Sequence, residues 1–138
     1  MIDEIEQEIQ AKGLTAPRVT PADIEANIAS EFYFSAEQGF AMAWLENAPR
    51  FPEGMNDLEA ENRFSDYIIS RPAVESLSLL TFCVLVLRNG FTVTGESACA
   101  SPENFDAELG RKIARQNAVN KIWPLMGYEL KERLSRDV

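Results

Sequence analysis

The spacing of apolar residues predicts helices over most of the first 70 positions. Apolar residues recur at helical spacing between Ile2 and Ile9, and Gly13 follows as a residue that can end the helix. Thr20 directly before Pro21 is typical of a second helix start, with the threonine as N-cap. At four-residue spacing, this second helix is expected to bury one stripe of side chains: Ile24, Ile28 and Phe32.

Two further helices are predicted before the chain changes character. Ser35 and Gln38 match a capping box, which opens a short helix that reaches about Leu45. Another helix is expected over about residues 56–69, and Pro72 keeps it from continuing. Residues 1–70 therefore show helical spacing throughout, and no strand is predicted among them.

The second half of the chain contains the predicted strands. Residues 79–87 form an apolar run that is typical of a buried strand, and residues 91–94 alternate with period two. Between them, Asn89-Gly90 is a preferred pair for a two-residue type I′ turn, in which both residues have positive φ. The pattern predicts one antiparallel β-hairpin at about residues 79–98.

A two-residue turn would also fix which residues share a face of the hairpin. It places Val86 opposite Val93 and Leu87 opposite Thr92, so that Leu85 and Leu87 lie on the face away from Val93. An isolated two-stranded ribbon is marginal in water and its edges need partners. We expect either coverage by the chain's own helices or a homodimer in which the outer edge of the first strand pairs with a second copy.

Ser101-Pro102 repeats the helix-start signal behind the hairpin. Ser101 is predicted as N-cap of a helix that reaches about Trp123, where Pro124 ends or kinks it before a short amphipathic helix. The stripe expected to be buried consists of Phe105, Leu109, Ile113 and Ile122, together with Ala114 and Ala118. Trp123, Phe105 and Ile113 are expected to be buried with Val84 and Val93. These elements predict an α+β fold: a single domain over residues 1–138, mainly helical, with one hairpin packed by flanking helices.

Charge is spread unevenly along the 138 residues. Residues 1–75 contain 15 acids and 5 bases, a balance of −10, and residues 76–138 contain 7 acids and 8 bases, a balance of +1, which together give −9. Nucleic acid phosphates repel such a chain, so no nucleic acid partner is expected. Three interpretations of the acidic half stay open: it keeps the chain soluble, it meets a basic protein surface, or it mimics a polyanion.

The composition also bears on compartment and on membranes. The apolar run that ends at Leu87 is shorter than the roughly 20 residues that span a bilayer, so no membrane partner is expected. The acidic start, MIDEIEQEIQ, lacks the basic region of a signal peptide. Cys83 and Cys99 make no disulfide framework, and a reduced cytoplasm is the expected location.

Few residues in the chain suggest chemistry. It contains no histidine, and it has neither GxxxxGK[ST] nor GxGxxG, so no catalytic residue, metal site or cofactor is predicted. One alternative is a metal-dependent hydrolase that uses Glu96, Glu103 and Asp106. A second alternative is a site for a small anionic nucleotide, at the helix start and its bases. Its candidate ligand-binding residues are Glu96, Ser97, Ser101, Asn104, Lys112 and Arg115.

Three stretches of the second half resemble a known family. They read LTxCxLxLxNGFxVxGxSA at residues 80–98, ENFDxExGxxIAxxNA at 103–118 and IWxLxGYxLxxxL at 122–134, and TPADIEANI near the N-terminus also fits. The chain resembles a family of small tailed-phage and prophage proteins that are labelled by gene-product number. It differs at Met126, where Glu is common, and residues 36–75 are interpreted as a variable insertion.

The resemblance implies a phage-encoded accessory protein in the cytoplasm of a bacterial host, and it supplies no activity. Together with the acidic half and the missing catalytic set, it favours a non-enzymatic protein that acts in counter-defence by binding a host or defence protein. A sponge for a nucleotide signal and a metal-dependent hydrolase stay open as alternatives.

Overall fold

A computed structural model describes residues 2–47, 54–59 and 71–137. The helices are α1 (Ile2–Ala11), α2 (Pro21–Ala26), α3 (Ala36–Asn47), α4 (Arg71–Ser78) and α5 (Ala107–Arg136). The strands are β1 (Ile28–Ser35), β2 (Leu80–Leu87) and β3 (Thr92–Ala98), and a 3₁₀ turn spans Pro102–Asn104. The α+β prediction is confirmed. Most of the helix predicted over residues 56–69 lies outside the described residues, and no helix within them is long and apolar enough to cross a membrane.

The sheet has three antiparallel strands in the order β1-β2-β3, one more than the predicted hairpin. The extra strand is β1, which lies in the half of the chain that was expected to be entirely helical. The predicted stripe of Ile24, Ile28 and Phe32 is wrong because α2 ends at Ala26, with Asn27 as its C-cap. Ile28 then begins β1, which pairs along β2 from Ile28 opposite Leu87 to Ser35 opposite Thr81.

The hairpin between β2 and β3 is confirmed, but its turn has three residues rather than two. Among the described residues only glycines have positive φ, and Gly90 has a φ of 89°, whereas Asn89 does not have positive φ. The Asn89 side chain instead accepts a hydrogen bond from Phe91 N at 2.9 Å, and Leu87 N donates to Phe91 O at 2.8 Å. This is the three-residue loop with glycine in its last position.

The longer turn shifts the predicted register by one residue, which moves β3 to the other face. Val93 lies opposite Leu85, and Thr92 lies opposite Val86. Because side chains alternate along a strand, Leu85 and Leu87 therefore share a face with Val93. All three side chains are buried within the chain, so the expectation that a second copy would cover Leu85 and Leu87 is wrong.

Helix α5 covers this face of the sheet with small side chains. Gly110, Ala114 and Ala118 are buried at four-residue spacing, and Ile122 continues the row. Gly95 of β3 lies so close to the helix that a Cβ there would be 2.9 Å from the Asn117 carbonyl carbon and closer still to Ala114 O and Ala118 N. The missing Cβ of Gly95 is what lets helix and strand approach.

The prediction of the buried helix face is therefore only partly correct. Ala114, Ala118 and Ile122 are buried as expected, and Val93 is buried beneath them. Trp123 and Val84 are half-buried. The side chains that are wrongly predicted as buried are Phe105, Leu109 and Ile113, which are exposed. A helix that approaches a strand this closely has room for alanine and glycine at the contact, and its bulky residues lie beside it.

The start of α5 also differs from the prediction. Ser101 precedes the 3₁₀ turn and makes no side-chain cap hydrogen bond. Asp106 is the N-cap of α5, and its Oδ1 accepts from Leu109 N at 3.0 Å. The helix then continues through Pro124 to Arg136, so it does not end at that proline, and the short helix predicted after it is part of α5.

Candidate functional site

The six residues predicted to bind a ligand are spread over three elements. Ser101 and Asn104 flank and end the 3₁₀ turn, Glu96 and Ser97 lie near the end of β3, and the two bases are on α5. Lys112 Nζ is 3.5 Å from Glu108 Oε1, one turn earlier on the same helix. Because α5 begins at Ala107, Ser101 does not supply the helix N-terminus on which the anion hypothesis depended.

Arg115 is the most strongly bound of these six residues. Its Nη1 and Nη2 donate to the two carboxylate oxygens of Glu25 at 3.0 and 2.7 Å, and its Nε donates to Glu31 Oε1 at 2.5 Å. Hydrogen bonding to Arg115 lowers the pKa of Glu25. The hydrogen bond with Glu25 in turn raises the pKa of the Arg115 guanidinium. Through these two carboxylates, the Arg115 guanidinium joins α5 to α2 and β1. An anion would have to displace the carboxylates of Glu25 and Glu31 to bind Arg115.

The helix-facing side of β1 continues this polar cluster. Tyr33 Oη donates to Glu31 Oε1 at 2.9 Å. Cys83, on the neighbouring strand, is fully buried, and burial raises the pKa of its thiol. A raised thiol pKa lowers the fraction of thiolate, which is the nucleophilic form, so Cys83 behaves as a small apolar core residue.

The hydrolase hypothesis depends on three carboxylates that converge on a metal ion. Within residues 2–47, 54–59 and 71–137, no three His, Cys, Asp or Glu side chains lie close enough to hold one, and Glu96, Glu103 and Asp106 form no such group. Asp106 instead caps α5 through Leu109 N. The part of the chain described here offers no metal centre to that hypothesis.

The face of the sheet that points away from α5 is the most unusual surface of the molecule. We call it the open face, and it is formed by alternate residues of the three strands, which the register brings side by side. These residues are Ser30, Phe32 and Phe34 of β1, Phe82, Val84 and Val86 of β2, and Thr92, Thr94 and Glu96 of β3. Glu96 is the single charged residue among the nine.

Aromatic and branched side chains on the open face remain exposed. Phe32 is 55% exposed and Phe34 is 38% exposed, and the side chains of β2 on this face are partly exposed. Phe34 and Phe82 lie with their ring centroids 5.6 Å apart. A β-sheet normally buries at least one face in a core and solvates the other with polar residues, whereas here the second face is apolar in β1 and β2 as well.

Helix α3 adds apolar surface next to the open face. It follows β1 directly, and a Cβ on Gly39 would be 3.4 Å from the ring of Phe34, so the helix lies against that ring. Met42 and Leu45 of α3 are 62% and 63% exposed. Sequence reasoning missed this surface because the surface forms only if residues 28–35 are a strand, and a helix was predicted there. The alternation of Phe32 and Phe34 with polar residues was the signal that could have identified the strand.

Comparison with known proteins gives a match to a protein-family model. A family model described as "Phage protein (N4 Gp49/phage Sf6 gene 66) family" matches residues 19–134, which is most of the chain. No curated protein and no solved structure matches.

Proposed function

Because this chain belongs to the phage protein family of N4 Gp49 and phage Sf6 gene 66, we propose that it is a non-enzymatic accessory protein that binds a host or defence protein. The family membership confirms the resemblance found in the sequence and makes the protein phage-encoded. We place its action in the cytoplasm of the bacterial host, where a phage protein meets host factors and defence systems.

The observation that carries the proposal is the open face. Soluble monomers rarely expose contiguous apolar patches larger than a few hundred Å², and larger patches are typical of protein–protein contacts. Aromatic residues are enriched at the centre of interfaces, where they supply most of the binding energy. Phe32 and Phe34 supply aromatic surface on the edge strand β1, and Val84 lies opposite Phe32 on the central strand.

The charge of the chain supports a particular kind of partner. The chain as a whole has a net charge of −9, whereas the open face contains only Glu96 as a charged residue. A partner with an apolar patch surrounded by basic residues would be attracted over a distance and would then bury the uncharged face. The proposal therefore names a host protein with an apolar site in a basic surrounding.

The competing functions find less support in the geometry. A nucleotide sponge would need Arg115 to exchange two carboxylate partners for phosphate. A hydrolase would need acids that converge, and the described residues provide no such group.

The proposal is tested by affinity capture with a matched pair of variants. Val84→Lys places a charge in the middle of the open face, and Ile113→Lys places the same charge on an exposed apolar residue of α5 that lies outside this face. Full-length wild-type protein and both variants, each checked for native circular dichroism, are used to capture proteins from host lysate, and retained proteins are quantified by mass spectrometry.

We expect the wild type and Ile113→Lys to retain the same host protein and Val84→Lys to lose it. Binding is then measured with that purified partner. Retention by all three proteins would overturn the open face as the binding surface, and retention by none would overturn the proposed function. A thermal shift with mono- or cyclic nucleotides would favour the sponge instead, since ligand at 100 times its Kd adds about 2.7 kcal/mol.

A further inference from the structure

The hydrogen-bond pattern of the sheet shows which backbone groups point away from it at each edge. The backbone of Leu87 in β2 bonds toward β3: its N–H donates to Phe91 O, and its carbonyl accepts from Gly90 N. The next residue, Arg88, bonds toward β1, because its N–H donates to Asn27 O. In an antiparallel ladder the direction alternates at every residue. Odd-numbered residues of β2 therefore bond to β3 and even-numbered ones bond to β1.

This alternation identifies the outward groups of β1. Phe32 lies opposite Val84 and Phe34 lies opposite Phe82, so these two phenylalanines bond to β2 through their backbones. The N–H and C=O groups of Glu31 and Tyr33 then point outward. Ser35 agrees with this pattern, because its N–H donates to Gln38 Oε1 at 2.9 Å rather than to β2.

The edge of β3 is protected, whereas the edge of β1 is not. On β3 the outward carbonyl of Glu96 accepts from the Asn117 side chain at 2.7 Å, and α5 is in tight contact with the strand at Gly95. On β1 the N–H of Ser35 is bonded to Gln38, but no described residue supplies a partner to the outward backbone groups of Glu31 and Tyr33. β1 contains neither proline nor lysine, and its β-bulge lies between Ile28 and Ser30, outside the Glu31–Tyr33 segment.

We propose that β1 pairs antiparallel with β1 of a second copy, which gives a six-stranded sheet across a twofold axis at Phe32. In this register Glu31 of each copy lies opposite Tyr33 of the other, and their outward N–H and C=O groups form the hydrogen bonds. Phe32 meets Phe32 as a non-hydrogen-bonded pair, the close kind of cross-strand pair, on the open face. The proposal rests on the edge of β1 and not on the proposed host partner.

The sequence of β1 fits a second copy in this register better than in a neighbouring one. Glu31 is the only charged residue of the strand, and the pairing places it opposite Tyr33, whose hydroxyl already donates to a glutamate at this position within one chain. A shift by two residues would place Glu31 opposite Glu31, and like charges directly opposite destabilise a pair of strands. Two copies of a chain with net charge −9 can approach where they present uncharged surface, and Phe32 and Phe34 provide it.

Cysteine cross-linking tests both the pairing and its register. Phe32→Cys and Thr94→Cys are made in a Cys99→Ser background, which leaves the buried Cys83 as the native thiol. Both new cysteines lie on the open face, one on each edge strand. Facing Cα atoms in a non-hydrogen-bonded pair are roughly 4.5 Å apart, within the range that a disulfide bridges. Under mild copper–phenanthroline oxidation at micromolar concentration, we expect Phe32→Cys to form a covalent dimer and Thr94→Cys to stay monomeric.

Sedimentation of the full chain completes the test. We expect twice the monomer mass of 15.5 kDa for the wild type. Phe32→Lys should raise the dimer dissociation constant by roughly tenfold or more, because it removes an aromatic pair and places like charges across the axis, whereas Thr94→Lys should not. A monomer at every concentration would overturn the proposal, as would cross-linking through Thr94→Cys but not through Phe32→Cys.

Discussion

Replacing Gly95 by alanine tests how closely α5 lies on the sheet. The new Cβ would be 2.9 Å from the Asn117 carbonyl carbon and closer to Ala114 O and Ala118 N. Carbon atoms in ordinary contact are roughly 3.5–4.0 Å apart. The obstacles are backbone atoms of a helix, which cannot rotate aside as a side chain can.

The size of the effect follows from that rigidity. The helix must move away from β3 by on the order of 1 Å, which loosens its contact with the core beneath Ala114 and Ala118. Overpacking typically costs 1–3 kcal/mol, and backbone obstacles place this case at the upper end, at about 3 kcal/mol or more. For a domain of this size we expect the melting temperature to fall by roughly 10 °C.

Urea denaturation followed by circular dichroism at 222 nm measures the free energy of unfolding. Gly127→Ala is the matched control: Gly127 lies in α5 with nothing within 4 Å of its added Cβ. Because alanine favours helix over glycine, the control should gain roughly 0.5–1 kcal/mol. The reasoning is refuted if Gly95→Ala unfolds within about 1 kcal/mol of the wild type, since the close approach of helix and strand would then be absent.

Three further outcomes are expected. Asp106→Ala should destabilise the fold by about 1 kcal/mol, because it removes the N-cap of α5, and Ser101→Ala should be nearly neutral in the same urea assay. A larger loss of unfolding free energy in Ser101→Ala than in Asp106→Ala would place the helix start at Ser101. The pKa of Glu25 is lowered from its ordinary value of 4.5 when the chain is folded, so its contribution to stability is present above that pH and lost as the pH falls through the lower value. In Arg115→Gln, the loss of stability as the pH falls below 4.5 should be smaller than in the wild type, and an unchanged slope would contradict the ion pair. A thiol reagent should label one cysteine of the native chain quickly and Cys83 only after unfolding, whereas fast reaction of two thiols would show that Cys83 is not buried.

The strand β1 shows why the sequence pattern was ambiguous. Ile24, Ile28 and Phe32 are spaced by four, which matches one face of a helix. Four is also a multiple of two, so the same spacing equally fits a strand. In β1 the bulge between Ile28 and Ser30 then places Ile28 opposite Leu87, on the side of α5, and Phe32 opposite Val84, on the open face. The neighbouring Phe34 and Tyr33 favour a strand by composition, but pairing with β2 is a long-range interaction that local spacing does not contain.

The face of α5 was difficult to predict for a different reason. Hydrophobicity ranks Leu109 and Ile113 above Ala114 and Gly110 as core residues. The close contact at Gly95 reverses that order, because the distance between two elements decides which side chains fit between them. The capping box of α3 was predictable because it is local. Ser35 N donates to Gln38 Oε1 at 2.9 Å, and Gln38 N donates to Ser35 Oγ at 3.1 Å.

The candidate site was less accessible to sequence reasoning than the fold. Basic residues such as Lys112 and Arg115 were visible along the helix, but their carboxylate partners were not. Arg115 is paired with Glu25 and Glu31, which are 90 and 84 positions away along the chain. The open face, in turn, exists only after β1 has been placed beside β2.

The alternation of side chains in β2 and β3 has a consequence for how such proteins can diversify. In LTxCxLxLxNGFxVxGxSA, the fixed positions from Thr81 to Leu87 and from Val93 to Ser97 face α5, while the free positions lie on the open face. Substitutions at Val84 or Thr94 leave the helix contact at Gly95 in place. One framework can therefore present different surfaces on its open face.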